Sequence, residues 1–128
     1  YATAPFVQSG DIRRGLEILQ NTGAEYAFSV TSYAFPIQRA IKLRTDGRME
    51  MFDPAQFQTR SQDLLEAYHD AGQFYWGTKN AWMSGAPIFG PNSAPVLLPR
   101  YLVQDIDTQE DWDQAEFLFK ANMVCEDE

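Results

Sequence analysis

The sequence lacks the features that define several broad classes of protein. Its single cysteine, Cys125, excludes a disulfide framework and a cysteine metal site. Its 10 lysine and arginine residues are dispersed among 18 acidic ones, and the formal charge of −8 argues against a nucleic-acid-binding surface. No apolar run approaches the length of a membrane span, and no signal-peptide pattern opens the chain. We therefore expect a cytoplasmic protein that contacts neither nucleic acid nor a membrane.

The common catalytic signatures are missing as well. The sequence has no glycine-rich phosphate loop, no Ser/His/Asp or Cys/His arrangement with convincing spacing, and no zinc signature. The sequence has enough apolar residues to form a hydrophobic core, because 45% of its 128 residues are hydrophobic, with 9 phenylalanines, 6 tyrosines and 3 tryptophans. We expect one globular domain or part of one.

Hydrophobic periodicity predicts an α/β fold. Residues 1–6 look like a strand end that runs into a loop. Ser9 or Asp11 then caps an amphipathic helix, which ends near Gly23. Residues 26–33 are rich in β-branched and aromatic side chains, which is typical of a buried strand. Strand, helix and strand in this order predict a right-handed parallel crossover.

A hairpin is predicted in the middle of the chain. Residues 38–43 and 48–52 flank Thr45-Asp46-Gly47, a turn signal in which glycine supplies the positive φ. A hairpin between crossover units usually projects from the main sheet, so its apolar side chains need cover. A symmetric partner could provide that cover, and packing onto the chain's own core is the alternative. The side chains concerned are Ile37, Ile41, Leu43, Met49, Met51 and Phe52.

Two aspartates near the C-terminus are the candidate metal ligands. Alternation over residues 103–107 predicts a strand end, so Asp105 and Asp107 should project from the same side of the backbone. Thr108 or Asp107 should then cap a helix. Such a corner at the carboxyl edge of a sheet suits a hard divalent cation that also holds a phosphate. The alternative is that both acids merely cap the helix.

Residues 59–77 are dense in polar groups that could reach a ligand. Arg60 is the chemically specific one, because its planar guanidinium can donate two parallel hydrogen bonds to one carboxylate. His69 is the only histidine, and a lone histidine is more often a structural hydrogen-bonding residue than a catalyst. Gly72 permits a close approach of a ligand to the backbone.

Six motifs are spread along the chain. They are Tyr-Ala-Thr-Ala-Pro-Phe at 1–6, Ser-Val-Thr at 29–31, Phe-Pro-Ile-Gln-Arg-Ala at 35–40, Thr-Arg-Ser-Gln-Asp-Leu at 59–64, His-Asp-Ala-Gly-Gln-Phe-Tyr-Trp at 69–76 and Asp-Ile-Asp-Thr at 105–108. Taken together, they resemble the acylneuraminate cytidylyltransferases, and within that family the branch that acts on pseudaminic acid. The resemblance covers essentially the whole chain, and the motifs follow in the family's order.

This resemblance implies a Rossmann-like nucleotide-diphospho-sugar transferase fold and a reaction. CTP and a nonulosonic acid sugar would give the CMP-sugar and pyrophosphate, with Mg²⁺ bound by Asp105 and Asp107. Thr3 would lie in the loop that runs beside the bound nucleotide. The resemblance places Gln62, His69, Phe74 and Tyr75 around the sugar. It also implies a homodimer, in which Arg60 reaches toward a site from the projecting hairpin region, about residues 37–68.

Two departures from the family pattern affect what we expect. Sialate-specific members carry a lysine at the position of Gln38 and an arginine at that of His69, so a sugar other than plain sialic acid is implied. The family's N-terminal strand and basic glycine-rich loop for CTP are not in this sequence. It resembles the C-terminal part of the enzyme, and we expect this chain alone to bind CTP poorly and turn over little.

Two other functions stay open on the sequence. One is a noncatalytic dimerisation or sugar-binding module that uses the hairpin surface and needs neither Mg²⁺ nor CTP. The other is a different keto-sugar cytidylyltransferase, such as a 3-deoxy-octulosonate enzyme, for which the His-Asp-Ala-Gly segment at 69–72 would be unexpected.

Overall fold

The computed structural model describes the backbone of residues 1–126 and the side chains of residues 1–123, so the side chain of Cys125 lies outside the described residues. The chain divides into two compact units. The first comprises Tyr1–Thr31 and the chain from Asp70 onward, and the second comprises Ser32–His69. The helices are α1 (Ser9–Thr22), α2 (Lys79–Ser84) and α3 (Gln109–Glu126), and the strands are β1 (Tyr26–Ser32), β2 (Ile41–Leu43), β3 (Met49–Met51), β4 (Tyr68–Gly77) and β5 (Ser93–Leu97).

A three-stranded mixed sheet of order β4-β1-β5 forms the centre of the fold. Strand β5 runs parallel to β1, with Tyr26 opposite Ser93 and Val30 opposite Leu97. Strand β4 runs antiparallel to β1. The Thr78 N–H, after the end of β4, donates to Glu25 O before the start of β1, and the Tyr33 N–H, after the end of β1, donates to Ala67 O before the start of β4. The predicted α/β class is therefore confirmed.

Helix α1 packs on this sheet through a small residue. The core comprises Ala27, Ala71, Val96 and Leu98, with Ile18, Leu19, Phe74, Trp76 and Val103 packed against it. Gly15 of α1 is buried, and a Cβ there would lie 2.7 Å from Trp76 Cδ1. The Trp76 indole N–H donates to Ile12 O at 2.7 Å. Helix and strand are thus in close contact because residue 15 has no side chain.

The strand predicted at 26–33 is confirmed as β1, but three neighbouring predictions are wrong. Residues 1–6 form turns rather than a strand end, and β1 pairs in parallel with β5, so residues 1–6 do not supply the first strand of the predicted crossover. The N-cap of α1 is Gln8, and its side chain makes no capping hydrogen bond. Asp11 instead pairs with Arg14 at 2.8 Å. Gly23 ends the helix in the left-handed conformation, as predicted.

The second unit contains the predicted hairpin in a shorter form. Strands β2 and β3 pair antiparallel, with Ile41 opposite Met51 and Leu43 opposite Met49. Gly47 in the turn has φ 81°, which favours glycine. Leu43 is 77% exposed and Met49 is 65% exposed, so these side chains are not buried within the single chain.

No helix within residues 1–126 combines the length and apolar character needed to cross a membrane.

Candidate active site

The two candidate metal ligands lie between a 3-10 turn and α3. The turn spans Arg100–Leu102, and residues 103–107 follow it without joining any sheet, so the predicted strand end is wrong. Both Asp105 and Asp107 are exposed. Asp105 Oδ1 accepts hydrogen bonds from the Thr3 hydroxyl at 2.7 Å and from the Ile106 N–H at 3.1 Å. The structure therefore joins two of the predicted site residues, Thr3 and Asp105.

Helix α3 begins with a capping box that does not use either of these carboxylates. The Thr108 hydroxyl oxygen accepts from the Asp111 N–H at 3.2 Å, and Asp111 Oδ2 accepts from the Thr108 N–H at 2.8 Å. Asp111 Oδ2 also accepts from the Asp107 N–H at 3.1 Å. The Thr108 hydroxyl also donates to Asp111 Oδ2 at 2.8 Å, and this hydrogen bond, followed by those from the Asp107 and Thr108 N–H groups, lowers the pKa of Asp111. Thr108 is the cap, so the exposed Asp105 and Asp107 carboxylates are not needed for that purpose.

A turn within β4 brings backbone close to Asp105. Gly72 has φ 65°, and its N–H donates to Asp70 Oδ1 at 2.8 Å. A Cβ built on Gly72 would lie 3.7 Å from Asp105 Oδ2. The left-handed conformation explains why glycine suits this position, whereas a Cβ at 3.7 Å would be in ordinary contact with Asp105.

Tyr75 extends this group of residues. Its hydroxyl donates to Asp70 Oδ2. Burial raises the pKa of the Tyr75 phenol, and the hydrogen bond to Asp70 together with the negative charges of Asp70 and Asp105 raises it further. Tyr75 is therefore a neutral phenol at physiological pH. Within the first unit, Thr3, Asp70, Gly72, Tyr75 and Asp105 form one contiguous cluster, which we call the acid corner.

Aromatic rings surround Tyr75. The Tyr75 ring stacks on Phe28 with centroids 5.6 Å apart, and Tyr1 lies 6.3 Å from it. Phe89 meets Phe28 edge to face at 5.5 Å. Phe89 is 73% exposed, so this aromatic surface is open to solvent next to the acid corner.

Phe74 does not share this surface. It packs against the hydrophobic core, and a Cβ on Gly15 would lie 2.9 Å from its ring. Successive side chains of a strand point to opposite faces, so Phe74 faces α1 while Tyr75 faces the acid corner. The resemblance implied that both residues line the sugar site, and the structure brings only Tyr75 to the acid corner.

The remaining predicted residues lie in the second unit. Arg60 is exposed and pairs with Asp63 at 2.9 Å. Gln62 is exposed in the 3-10 turn Ser61–Asp63. The His69 ring meets Tyr33 edge to face at 4.8 Å. Gln38 Nε2 donates to Leu65 O at 3.0 Å, so this amide holds the loop that follows Arg60.

Sequence reasoning missed two residues of these networks. Asp70 stands two residues before Gly72, a spacing typical of an aspartate that caps its own turn, and this signal was available. Arg39 donates to Thr59 O and to Ser61 Oγ at 3.3 Å, on either side of Arg60. Nothing in the sequence indicates these partners, because they are about 20 residues away.

The donor chemistry of the acid corner fits a hard cation. In the described part of the chain, no group of three or more His, Cys, Asp or Glu side chains could hold a metal ion by itself. Magnesium, however, is usually bound by one or two carboxylates together with substrate phosphates. The exposed carboxylate of Asp105, which belongs to the acid corner, and that of Asp107, two residues later, are oxygen donors of that kind, as is the Thr3 hydroxyl.

Comparison with known proteins shows what the chain is related to. It is 43% identical to the pseudaminic acid cytidylyltransferase of Campylobacter jejuni strain 81-176 over 122 residues, which cover 95% of this chain and 53% of that protein. The predicted resemblance is confirmed. The chain thus spans about half the length of this relative.

More distant relatives have related names. A Helicobacter pylori protein, named pseudaminic acid cytidylyltransferase and UDP-2,4-diacetamido-2,4,6-trideoxy-beta-L-altropyranose hydrolase, is 31% identical over 107 residues, 83% of this chain and 20% of that protein. N-acylneuraminate cytidylyltransferase B of Danio rerio is 28% identical over 116 residues, 90% of this chain and 27% of that protein. No family model matches the chain.

Proposed function

We propose that the protein to which this chain belongs is a CMP-sugar synthetase. It transfers CMP from CTP to a nonulosonic acid, with pseudaminic acid as the preferred sugar, and releases pyrophosphate. The observation that carries the proposal is the acid corner: Thr3, Tyr75 and Asp105 come from three separated motifs and meet in one cluster. The 43% identity to a named pseudaminic acid cytidylyltransferase across 95% of the chain supports the same conclusion.

In this proposal Asp105 and Asp107 hold Mg²⁺ next to the triphosphate. Bound Mg²⁺ would neutralise phosphate charge while the sugar's anomeric oxygen forms a bond to the α-phosphorus and the bond to pyrophosphate breaks. Thr3 donates to one oxygen of Asp105 and so fixes the orientation of that carboxylate. Tyr75 keeps its proton, which it donates to Asp70, and its oxygen can accept a hydrogen bond from a hydroxyl of the sugar.

We assign recognition of the sugar carboxylate to Arg60. Arg60 pairs with exposed Asp63, an interaction of little net strength, so its guanidinium can exchange that partner for the sugar carboxylate. Gln62, His69 and Gln38 are the other proposed sugar contacts. By the family resemblance, Gln38 and His69 stand where sialate-specific members carry a lysine and an arginine. This difference, together with the 43% identity to a protein named pseudaminic acid cytidylyltransferase, is the reason for proposing pseudaminic acid over sialic acid.

We propose in addition that the enzyme is a homodimer built on the hairpin. Three hairpin side chains, Ile41, Leu43 and Met49, are each more than half exposed. Exposure of apolar surface to water is unfavourable, and burial against a partner's surface would relieve it. Sedimentation of the full-length gene product and of a Leu43→Lys, Met49→Lys variant tests this. Loss of the dimer in the variant is expected, and a monomeric wild type would contradict it.

Pyrophosphate release tests the activity. The full-length gene product is mixed with CTP, Mg²⁺ and, separately, pseudaminic acid, N-acetylneuraminic acid and 3-deoxy-octulosonic acid. Fast release with pseudaminic acid is expected. Fast release only with 3-deoxy-octulosonic acid would assign the chain to another keto-sugar cytidylyltransferase. Sugar binding with no release, independent of CTP and Mg²⁺, would identify a noncatalytic sugar-binding module.

A further inference from the structure

Arg39 contacts the residues on both sides of Arg60, one through its backbone and the other through its side chain. Its guanidinium donates to the carbonyl oxygen of Thr59 and, at 3.3 Å, to the hydroxyl of Ser61. These are the residues immediately before and after Arg60 in the chain. The contacts connect the 3-10 turn Ile37–Arg39 to the loop that carries Arg60.

The loop around Arg60 has little regular structure of its own. Arg60 precedes the three-residue turn Ser61–Asp63, and its backbone carbonyl accepts from the Asp63 N–H at 2.9 Å. The Arg60 side chain is 74% exposed. A long exposed side chain on such a loop loses conformational entropy when it binds a ligand. Holding the Thr59 carbonyl and the Ser61 side chain restricts the loop on both sides of Arg60, which reduces that loss and sets the direction in which the guanidinium extends.

Stability alone gives a weak reason for an arginine at position 39. No carboxylate among the described residues pairs with it, so the charge is balanced only by neutral acceptors. Its Nε is buried and has no hydrogen-bond partner in the described part of the chain. A partly buried cation in this state is costly. What the guanidinium of Arg39 provides is the spacing of its two N–H donors. They bind one acceptor on Thr59 and one on Ser61, on either side of Arg60.

We propose that Arg39 is a positioning residue, which orients Arg60 toward the carboxylate of the sugar substrate. This inference rests on the proposed function, in which Arg60 binds that carboxylate. Arg39 itself does not contact the sugar. Its effect on sugar affinity should therefore disappear when Arg60 is removed.

A double-mutant cycle in the full-length gene product tests the inference. We expect Arg60→Ala and Arg39→Gln each to raise the KM for pseudaminic acid, roughly tenfold for the loss of a charge-assisted carboxylate contact, with the KM for CTP unchanged. The double variant should have the same sugar KM as Arg60→Ala alone. Ser61→Ala, which removes one of the two acceptors, should give a smaller increase. Arg48→Gln is the matched control, because it removes the same charge from the exposed hairpin turn of the same unit.

The outcomes separate this inference from the function on which it rests. If Arg60→Ala raises the sugar KM but Arg39→Gln does not, or if the two effects add in the double variant, the positioning role is wrong and the function stands. If Arg60→Ala leaves the sugar KM unchanged, the proposed role of Arg60 fails and the inference fails with it. If Arg39→Gln does not fold, as judged by circular dichroism, Ser61→Ala decides: an increased sugar KM supports the role, and an unchanged one overturns it.

Discussion

The Thr3 hydroxyl donates a hydrogen bond to Asp105 Oδ1 at 2.7 Å, although the two residues are 102 positions apart in the chain. The same carboxylate has its other oxygen facing Gly72 of β4. One aspartate therefore connects the N-terminal turns, the central sheet and the segment that leads into α3. Its orientation depends on contacts with segments distant in sequence.

The first prediction concerns this hydrogen bond. Thr3→Val keeps the shape of the side chain but removes the donor, so Asp105 should lose its fixed orientation. We expect kcat/KM for CMP transfer to fall roughly tenfold, while the free energy of unfolding changes by no more than about 1 kcal/mol, because the bond is exposed. Pyrophosphate release and urea unfolding provide the two measurements. Thr45→Val in the exposed hairpin turn is the control, and equal kcat/KM values for the two variants would contradict the role of Thr3.

The second prediction concerns the proposed metal ligands. Asp105→Asn and Asp107→Asn each replace a carboxylate by a neutral amide, which is a much poorer ligand for Mg²⁺. We expect each change to raise the Mg²⁺ concentration needed for half-maximal pyrophosphate release, and to lower the maximal rate by roughly 100-fold or more. Asp113→Asn on the exposed face of α3 removes an equal charge away from the corner and should have no such effect. An unchanged Mg²⁺ dependence in the Asp107→Asn variant would remove Asp107 from the metal site.

The parts of the fold that were predicted correctly have strong local signals. Thr108 was one of two candidate caps, and Asp111 three residues later completes a capping box. The hairpin followed from the Thr45-Asp46-Gly47 turn. Alternation over residues 103–107 gave a wrong result, because an extended segment becomes a strand only when a partner strand is beside it.

The candidate site was harder to predict because its contacts are not local. The family motifs include both Phe74 and Tyr75. Adjacent side chains of a strand point to opposite faces, so only one of the two can face Asp105. The structure shows that it is Tyr75. Asp70 and Arg39 act through hydrogen bonds rather than through a recognisable motif. Their importance is visible only when Tyr75 and the residues flanking Arg60 are in place.

The third prediction tests the packing that places Phe74 in the core. An alanine at position 15 would put its Cβ 2.7 Å from Trp76 Cδ1 and 2.9 Å from Phe74 Cε2, so α1 and β4 would have to move apart. We expect Gly15→Ala to lower the free energy of unfolding by about 1–3 kcal/mol, measured by urea unfolding. Gly10→Ala in the same helix meets no atom within 4 Å and should be neutral or stabilise by up to about 1 kcal/mol. Equal effects of the two substitutions would show that helix and strand are not in close contact.

The fourth prediction uses the raised pKa of Tyr75. In the unfolded chain the phenol ionises near its ordinary pKa of 10.0, whereas in the folded protein burial and Asp70 raise the pKa above that value. Below pH 10 both states keep the proton, so the contribution of Tyr75 to stability is fully present. As the pH rises above 10 the unfolded state loses its proton first, and stability should fall.

Urea unfolding at pH 8, 9, 10 and 11 measures this fall, and Tyr75→Phe should make it shallower because the titrating group is gone. Tyr101→Phe is the control, since Tyr101 is 57% exposed and lies outside the acid corner. Asp70→Asn should also reduce the slope, because it removes the negative charge next to the phenol while keeping an acceptor of similar size. If the slope is the same in the wild type and in Tyr75→Phe, the Tyr75 proton is not held by the fold, and Asp70 does not orient the phenol oxygen as the proposed sugar contact requires.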